Sequence, residues 1–204
     1  LSGTSVIADG RFRHFSFPNA LDGVNGTIRF DQRGLRVDDV TATIGGGRVQ
    51  FGGRIDLDGY APGALSLTAR GDGMRFRYPE GVRSTVDADL AVRGTAAAPL
   101  VAGTVRVQSA SLTRRIDPGS GLFDFGGRSE TPAAAAAPSA TPIALDVQVL
   151  VPSTLRVENN LARLVASADL QLRGTVARPV LAGRAEVDKG EITFEGRRYV
   201  MTRG

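Results

Sequence analysis

Along most of the chain, apolar and polar residues exchange places at every second position. Ile143, Leu145, Val147, Val149 and Val151 take one phase of the run 143–151, and Asp146 and Gln148 take the other. Val86, Ala88, Leu90 and Val92 repeat the pattern, as do Ala166, Ala168, Leu170 and Leu172. Successive side chains of an extended chain point to opposite faces, so these runs predict strands with one dry and one wet face. Shorter runs precede them, including Ile28 with Phe30, Leu35 with Val37, Val49 with Phe51, Ile55 with Leu57, Leu65 with Leu67, and Met74 with Phe76. Turn-forming residues punctuate the pattern at 31–34, 45–47, 52–53, 71–73 and 188–190. The result is roughly sixteen short strands at about ten-residue spacing, with no amphipathic helix. Such spacing predicts an all-β sandwich, a barrel or a long curled sheet.

Residues 88–113 and 168–193 align without a gap. Both carry Ala-Asp-Leu (88–90 and 168–170), Arg-Gly-Thr (93–95 and 173–175), then Pro99 or Pro179, and Ala-Gly at 102–103 or 182–183. Glycine relaxes the backbone and proline removes a ladder donor, so Arg-Gly-Thr-x3-Pro predicts a fixed bend between two strands. Arg173 belongs to that bend, as a structural residue. Repeated β units predict an extended, quasi-one-dimensional sheet in which each apolar face is one panel of a longer surface.

Composition narrows the chemistry. The 204 residues are 42% hydrophobic but only 6% aromatic, with no Trp, so apolar surfaces are lined by Val, Leu, Ile and Ala. The absence of Cys excludes disulfides and thiolate sites. His14 is the one histidine and has no Asp, Glu or Cys cluster beside it, which reads as a strand or surface residue. The Gly45-Gly46-Gly47 run lies between strands and lacks the helix and Gly-Lys-Ser/Thr of a phosphate loop, so it predicts a hairpin. Asp87 and Asp89 share a face but read as a solvated pair. The net charge of +4 comes from interspersed arginines, with never more than two basic residues in a row. That pattern gives no support for nucleic acid as a partner. No catalytic motif, metal site or cofactor is expected. No apolar run reaches the ~20 residues of a membrane-spanning helix. Residue 1 is Leu, so the chain is expected to be a fragment.

Alternation alone favours a closed β-sandwich, in which apolar faces pack on each other. Residues 173–204 change that preference. Their pattern runs Arg-Gly-Thr-x3-Pro-x-Leu-x-Gly, a short strand, Lys-Gly-Glu-Ile, Phe-x-Gly-Arg-Arg-Tyr and a closing Arg-Gly. It resembles the C-terminal domain of the TamB family, translocation and assembly module subunits in the AsmA-like superfamily. Residues 26–57 resemble the units just upstream in those proteins.

The resemblance implies an all-β fold: a long curled antiparallel or mixed sheet forming an open, β-taco-like groove with an apolar concave face. It implies a periplasmic segment of a protein anchored in the inner membrane and reaching the outer membrane. The implied function is a hydrophobic groove for phospholipid transport. The alternative is a scaffold or chaperone for outer-membrane proteins, including autotransporters. The implied partners are phospholipid acyl chains, a TamA-like outer-membrane barrel protein and unfolded outer-membrane proteins. One structural domain is expected: a β-rich segment 1–128, a low-complexity Ala/Pro insertion 129–142 expected to be disordered, and a continuation of the sheet over 143–204. The expected lipid-facing residues are Val86, Ala88, Leu90, Val92, Val105, Val107, Ile143, Leu145, Val147, Val149, Leu164, Leu170, Leu172, Val187, Ile192 and Phe194.

Overall fold

The structure, a computed structural model, describes residues 2–13, 19–59, 61–77, 81–113, 142–160, 162–194 and 197–201. His14, Tyr78, the insertion residues 129–141 and the closing Arg203-Gly204 lie outside the described residues. The described chain contains no helix. It forms β1 (Gly3–Phe12), β2 (Leu21–Asp31), β3 (Gly34–Ile44), β4 (Gly47–Asp58), β5 (Ala61–Phe76), β6 (Val82–Thr95), β7 (Ala98–Leu112), β8 (Ala144–Glu158), β9 (Ala162–Thr175), β10 (Arg178–Phe194) and β11 (Arg197–Met201).

All eleven strands lie in one sheet, in chain order. Every neighbouring pair is antiparallel except β7 and β8, which run parallel with Leu100 beside Ala144 and Val105 beside Val149. The two edges, β1 and β11, are not joined, so the sheet is open and not a barrel. No second sheet covers it among the described residues, and the sandwich alternative is not formed. Burial agrees. The buried hydrophobic side chains are Val40, Ala42, Ile44, Val49, Met74, Val107, Val147, Val151 and Ala166, and among the described residues none of the large side chains falls below 2% exposure.

Eleven strands replace the expected sixteen because several apparent turns are interruptions within a strand. Gly71-Asp72-Gly73 lies inside β5, Asp188-Lys189-Gly190 inside β10, and Gly52-Gly53 inside β4. The first two coincide with register shifts, between Gly71 and Met74 and between Val187 and Lys189. A bulge adds a residue to one strand and needs the same Gly, Asp and Asn chemistry as a turn, but the chain continues in its original direction. The strands are therefore longer than the sequence pattern suggests, reaching 17 residues in β10.

These bulges form a row. From β5 to β10 a shift occurs at every pair, next to Met74, Val86, Val107, Val151, Ala166 and Val187 in turn. Polar groups fasten the row on the other face. The Gly73 amide donates to Asp87 Oδ1 at 2.8 Å and Gln108 Nε2 to Asp87 Oδ2 at 2.6 Å. Thr154 Oγ1 donates to the Val107 carbonyl at 2.7 Å, and Ser167 Oγ to Asp188 Oδ1 at 3.1 Å. Bulges bend strands, so a row of them creases the sheet. With no covering layer among the described residues, Val107, Val151 and Ala166 are buried along the crease, and Met74 is buried there against Ile44 and Val49. Replacing Asp87 with Ala strands the Gly73 amide and is expected to cost about 1–3 kcal/mol, read as a lower denaturation midpoint.

The repeat is also structural, but its break is a hairpin and not a bend. Thr95 pairs with Ala98 and Thr175 with Arg178, leaving two-residue turns at 96–97 and 176–177. The threonine side chain closes each turn: Thr95 Oγ1 accepts from the Ala98 amide at 3.2 Å and Thr175 Oγ1 from the Arg178 amide at 3.1 Å. Further along, Gly103 sits opposite Leu90 and Gly183 opposite Leu170, at φ +141° and +145°. A Cβ at either glycine would run into the carbonyl oxygen of Asp89 or Asp169 across the pair.

Candidate functional site

Residues opposite one another in a ladder share a face. Following the register from strand to strand, the apolar phase stays on one face across the sheet. Ile28 meets Val37, Phe51 meets Ala69, Ala69 meets Leu90, Val86 meets Val107, Val105 meets Val149, Val149 meets Leu170, and Ala166 meets Val187. In β5, β7 and β10 the bulge adds one residue to that strand alone, so the apolar positions pass from Ala69 to Met74, from Val107 to Ala110 and from Val187 to Ile192 and stay on one face. Ile44, Val49 and Met74 pack together at one end, with Leu21, Phe51, Phe76, Val86 and Ala88 against them.

Of the expected groove residues, Val86, Ala88, Leu90, Val92, Val105, Val107, Leu145, Val147, Val149, Leu164, Leu170, Leu172, Val187 and Ile192 fall on this face by register. Phe194 extends the same register, opposite Arg197. Ile143 lies one step beyond the last pair of the β8–β9 ladder, Ala144 with Thr175. It precedes β8, stands 38% exposed, and its carbonyl accepts the Val176 amide at 3.0 Å. Val107, 8% exposed, lies at the crease, and Val147, 5% exposed, lies on the same face between Gly103 and Leu172. The face continues into β2–β5 through Ile28, Phe30, Leu35, Val37, Phe51, Ile55, Leu65 and Leu67, a panel longer than the expected residues cover.

The opposite face is polar and charge-paired. Arg70 meets Asp89 at 3.2 Å, Arg54 meets Asp56 at 2.7 Å, Arg11 meets Asp22 at 2.8 Å, and Arg198 pairs with Glu191. Arg173 faces Asp146 at 3.6 Å, in keeping with a structural residue. Asp87 and Asp89 are both engaged, by the crease and by Arg70. Among the described residues, no group of three or more His, Cys, Asp or Glu is placed to hold a metal.

Two cavities of similar size open at the ends of the strands. One, about 500 Å³, is lined by Arg29, Arg33, Arg36 and Arg54 together with Asp31 and Asp56. The other, about 530 Å³, is lined by Arg75, Arg77, Arg83 and Arg156 with Thr85, Gln108, Ser109 and Ser111, and no carboxylate is among its described lining residues. No local signal in the sequence marks this second group, because Arg75 and Arg156 meet only through three intervening ladders.

An open single sheet with one continuous apolar face, built from β repeats, is the architecture the C-terminal motif implied. Comparison with curated proteins and with solved structures found no match. Comparison with protein families matched the TamB C-terminal domain over residues 38–204, which takes in both repeat copies and the crease. The chain, a segment of a TamB-like envelope protein, belongs to the TamB C-terminal domain family.

Proposed function

We propose that the apolar face is a conduit for phospholipid acyl chains in the periplasm, between the inner and outer membranes. The observation that carries this reading is the uncovered face: one apolar phase kept across the sheet with no second layer against it among the described residues. The central strands of 14–17 residues run about 50 Å along the backbone. The crease divides them unevenly, and the longer arm, Val86–Thr95 in β6 or Arg178–Val187 in β10, runs about 33 Å, more than the ~15 Å depth of one bilayer leaflet. An acyl chain lying there is shielded at about 0.8 kcal/mol per buried CH₂. Val, Leu, Ala and Ile offer no fixed polar partners, which suits sliding over fixed docking. A photo-crosslinker at Leu172, on the apolar face, is expected to capture phospholipid, while one at Gln171, on the polar face, is not; equal capture at both positions excludes the conduit.

A second reading rests on a different observation. β11 pairs only with Gly190–Phe194, so residues 178–188 of β10 have no strand partner on their outer side among the described residues. An unpaired edge is a template for an added strand. We propose that this edge receives a strand of an outer-membrane protein or of a TamA-like barrel partner. Cysteine crosslinks from Ala182 to an unfolded barrel protein, with no crosslink from Ala102 on the interior strand β7, are the expected result.

A further inference from the structure

We infer that the basic cavity at the strand ends of β5–β8 is a docking site for the phosphate of an anionic phospholipid headgroup. This rests on the conduit reading and adds a lipid class to it. The ladder sets the cavity's floor. Arg75, Thr85 and Ser109 form one cross-strand row, and Arg83, Ser111 and Arg156 the next. Arg77 follows directly after β5, and Arg83 is the second residue of β6, so the group sits at one lip of the sheet. Arg75 is held in place by donation from Nε to the Gly45 carbonyl at 3.0 Å.

Charge balance separates this cavity from its counterpart at the opposite lip. There four arginines line a similar volume, but Asp31 and Asp56 line it too, and Arg54 is bound to Asp56 at 2.7 Å. At the β5–β8 lip Arg77, Arg83 and Arg156 line the cavity with Thr85, Ser109 and Ser111, while the Arg75 guanidinium turns to Gly45 and the Gln108 carboxamide to Asp87. Guanidinium forks and hydroxyl donors are the chemistry that holds phosphate oxygens. The position selects a lipid over a free anion. Phe76, Ser84 and Ala110 line the same cavity, and the register puts them on the apolar face. These positions lie at or within two residues of the ends of β5, β6 and β7, so the cavity adjoins the edge of the apolar face. A bound lipid spans it with its tails on the apolar face and its phosphate outside. Each arginine near an anionic headgroup contributes a recognised share of binding, and removing two lowers affinity by about tenfold or more.

The test uses the full chain and vesicles of phosphatidylglycerol or phosphatidylcholine carrying a fluorescent tracer lipid. Lipid uptake is measured for the unaltered chain, for Arg83→Gln with Arg156→Gln, and for Arg36→Gln in the balanced cavity. The expected result is about tenfold preference for phosphatidylglycerol, weakened by salt, and abolished in the double variant while phosphatidylcholine uptake is unchanged. Arg36→Gln retains the preference. Circular dichroism of the double variant reports folding, and unchanged phosphatidylcholine uptake reports it again. Equal uptake of the two lipids by the unaltered chain overturns the headgroup site and leaves the conduit standing. No uptake of either lipid overturns both. Inorganic phosphate that binds as tightly as phosphatidylglycerol, with the same loss in the double variant, reassigns the cavity to a free anion and overturns the lipid site.

Discussion

Glutamate in place of Leu170 is expected to abolish phospholipid binding while the sheet stays folded. Leu170 lies on the apolar face between Val149 and Gly183, half-buried. Its replacement removes a branched apolar contact and sets an ionised carboxylate against the lipid hydrocarbon. The combined cost is about 3 kcal/mol, on the order of a hundredfold in affinity. Val149→Glu, one strand over, is expected to behave alike. The control is Ser66→Glu, exposed on the polar face between Arg54 and Arg93, where a carboxylate gains cationic neighbours. Lipid binding lost equally in all three variants, or circular dichroism showing that only the apolar-face variants unfold, means that the face is a core and not a conduit.

The second large effect concerns the two equivalent glycines. Gly103→Val is expected to destabilise the sheet by about 3–5 kcal/mol, the sum of backbone strain and forced separation of two strands. Gly183→Val meets the same obstruction, the carbonyl of Asp169 in place of that of Asp89. Its cost is smaller, about 1–3 kcal/mol, because β10 has no neighbour at this level among the described residues and can shift outward, whereas β7 is held by β6 and β8. Urea denaturation midpoints of the two variants decide it. Equal losses mean that the edge of β10 is not free to move.

Alternation makes the apolar face legible in the residues alone, because a period of two maps directly onto the faces of a strand. Leu145, Val147 and Val149 need no further information. The strand count is not legible in the same way. Asp188-Lys189-Gly190 reads as a turn because turns and bulges recruit the same residues, and only the partner strand distinguishes them. The crease is illegible for a related reason: each bulge is local, but their alignment from Met74 to Val187 depends on the register of five ladders. The hairpin at Arg-Gly-Thr is half legible. Gly and Pro mark a break, while the reversal depends on Thr95 and Thr175 capping a two-residue turn. Ile143 continues the alternation by position but falls just outside β8, where its carbonyl serves the Val176 turn.

The single parallel seam also has a consequence for how the sheet forms. Every other ladder is antiparallel and joins strands separated by no more than eight residues, as a hairpin or meander. The β7–β8 ladder alone brings together residues as distant as Leu100 and Ala144. Loop-closure entropy makes such non-local pairing slow relative to hairpins. Two blocks, β1–β7 and β8–β11, are therefore expected to assemble from local contacts, with docking along the seam as the slow step of folding.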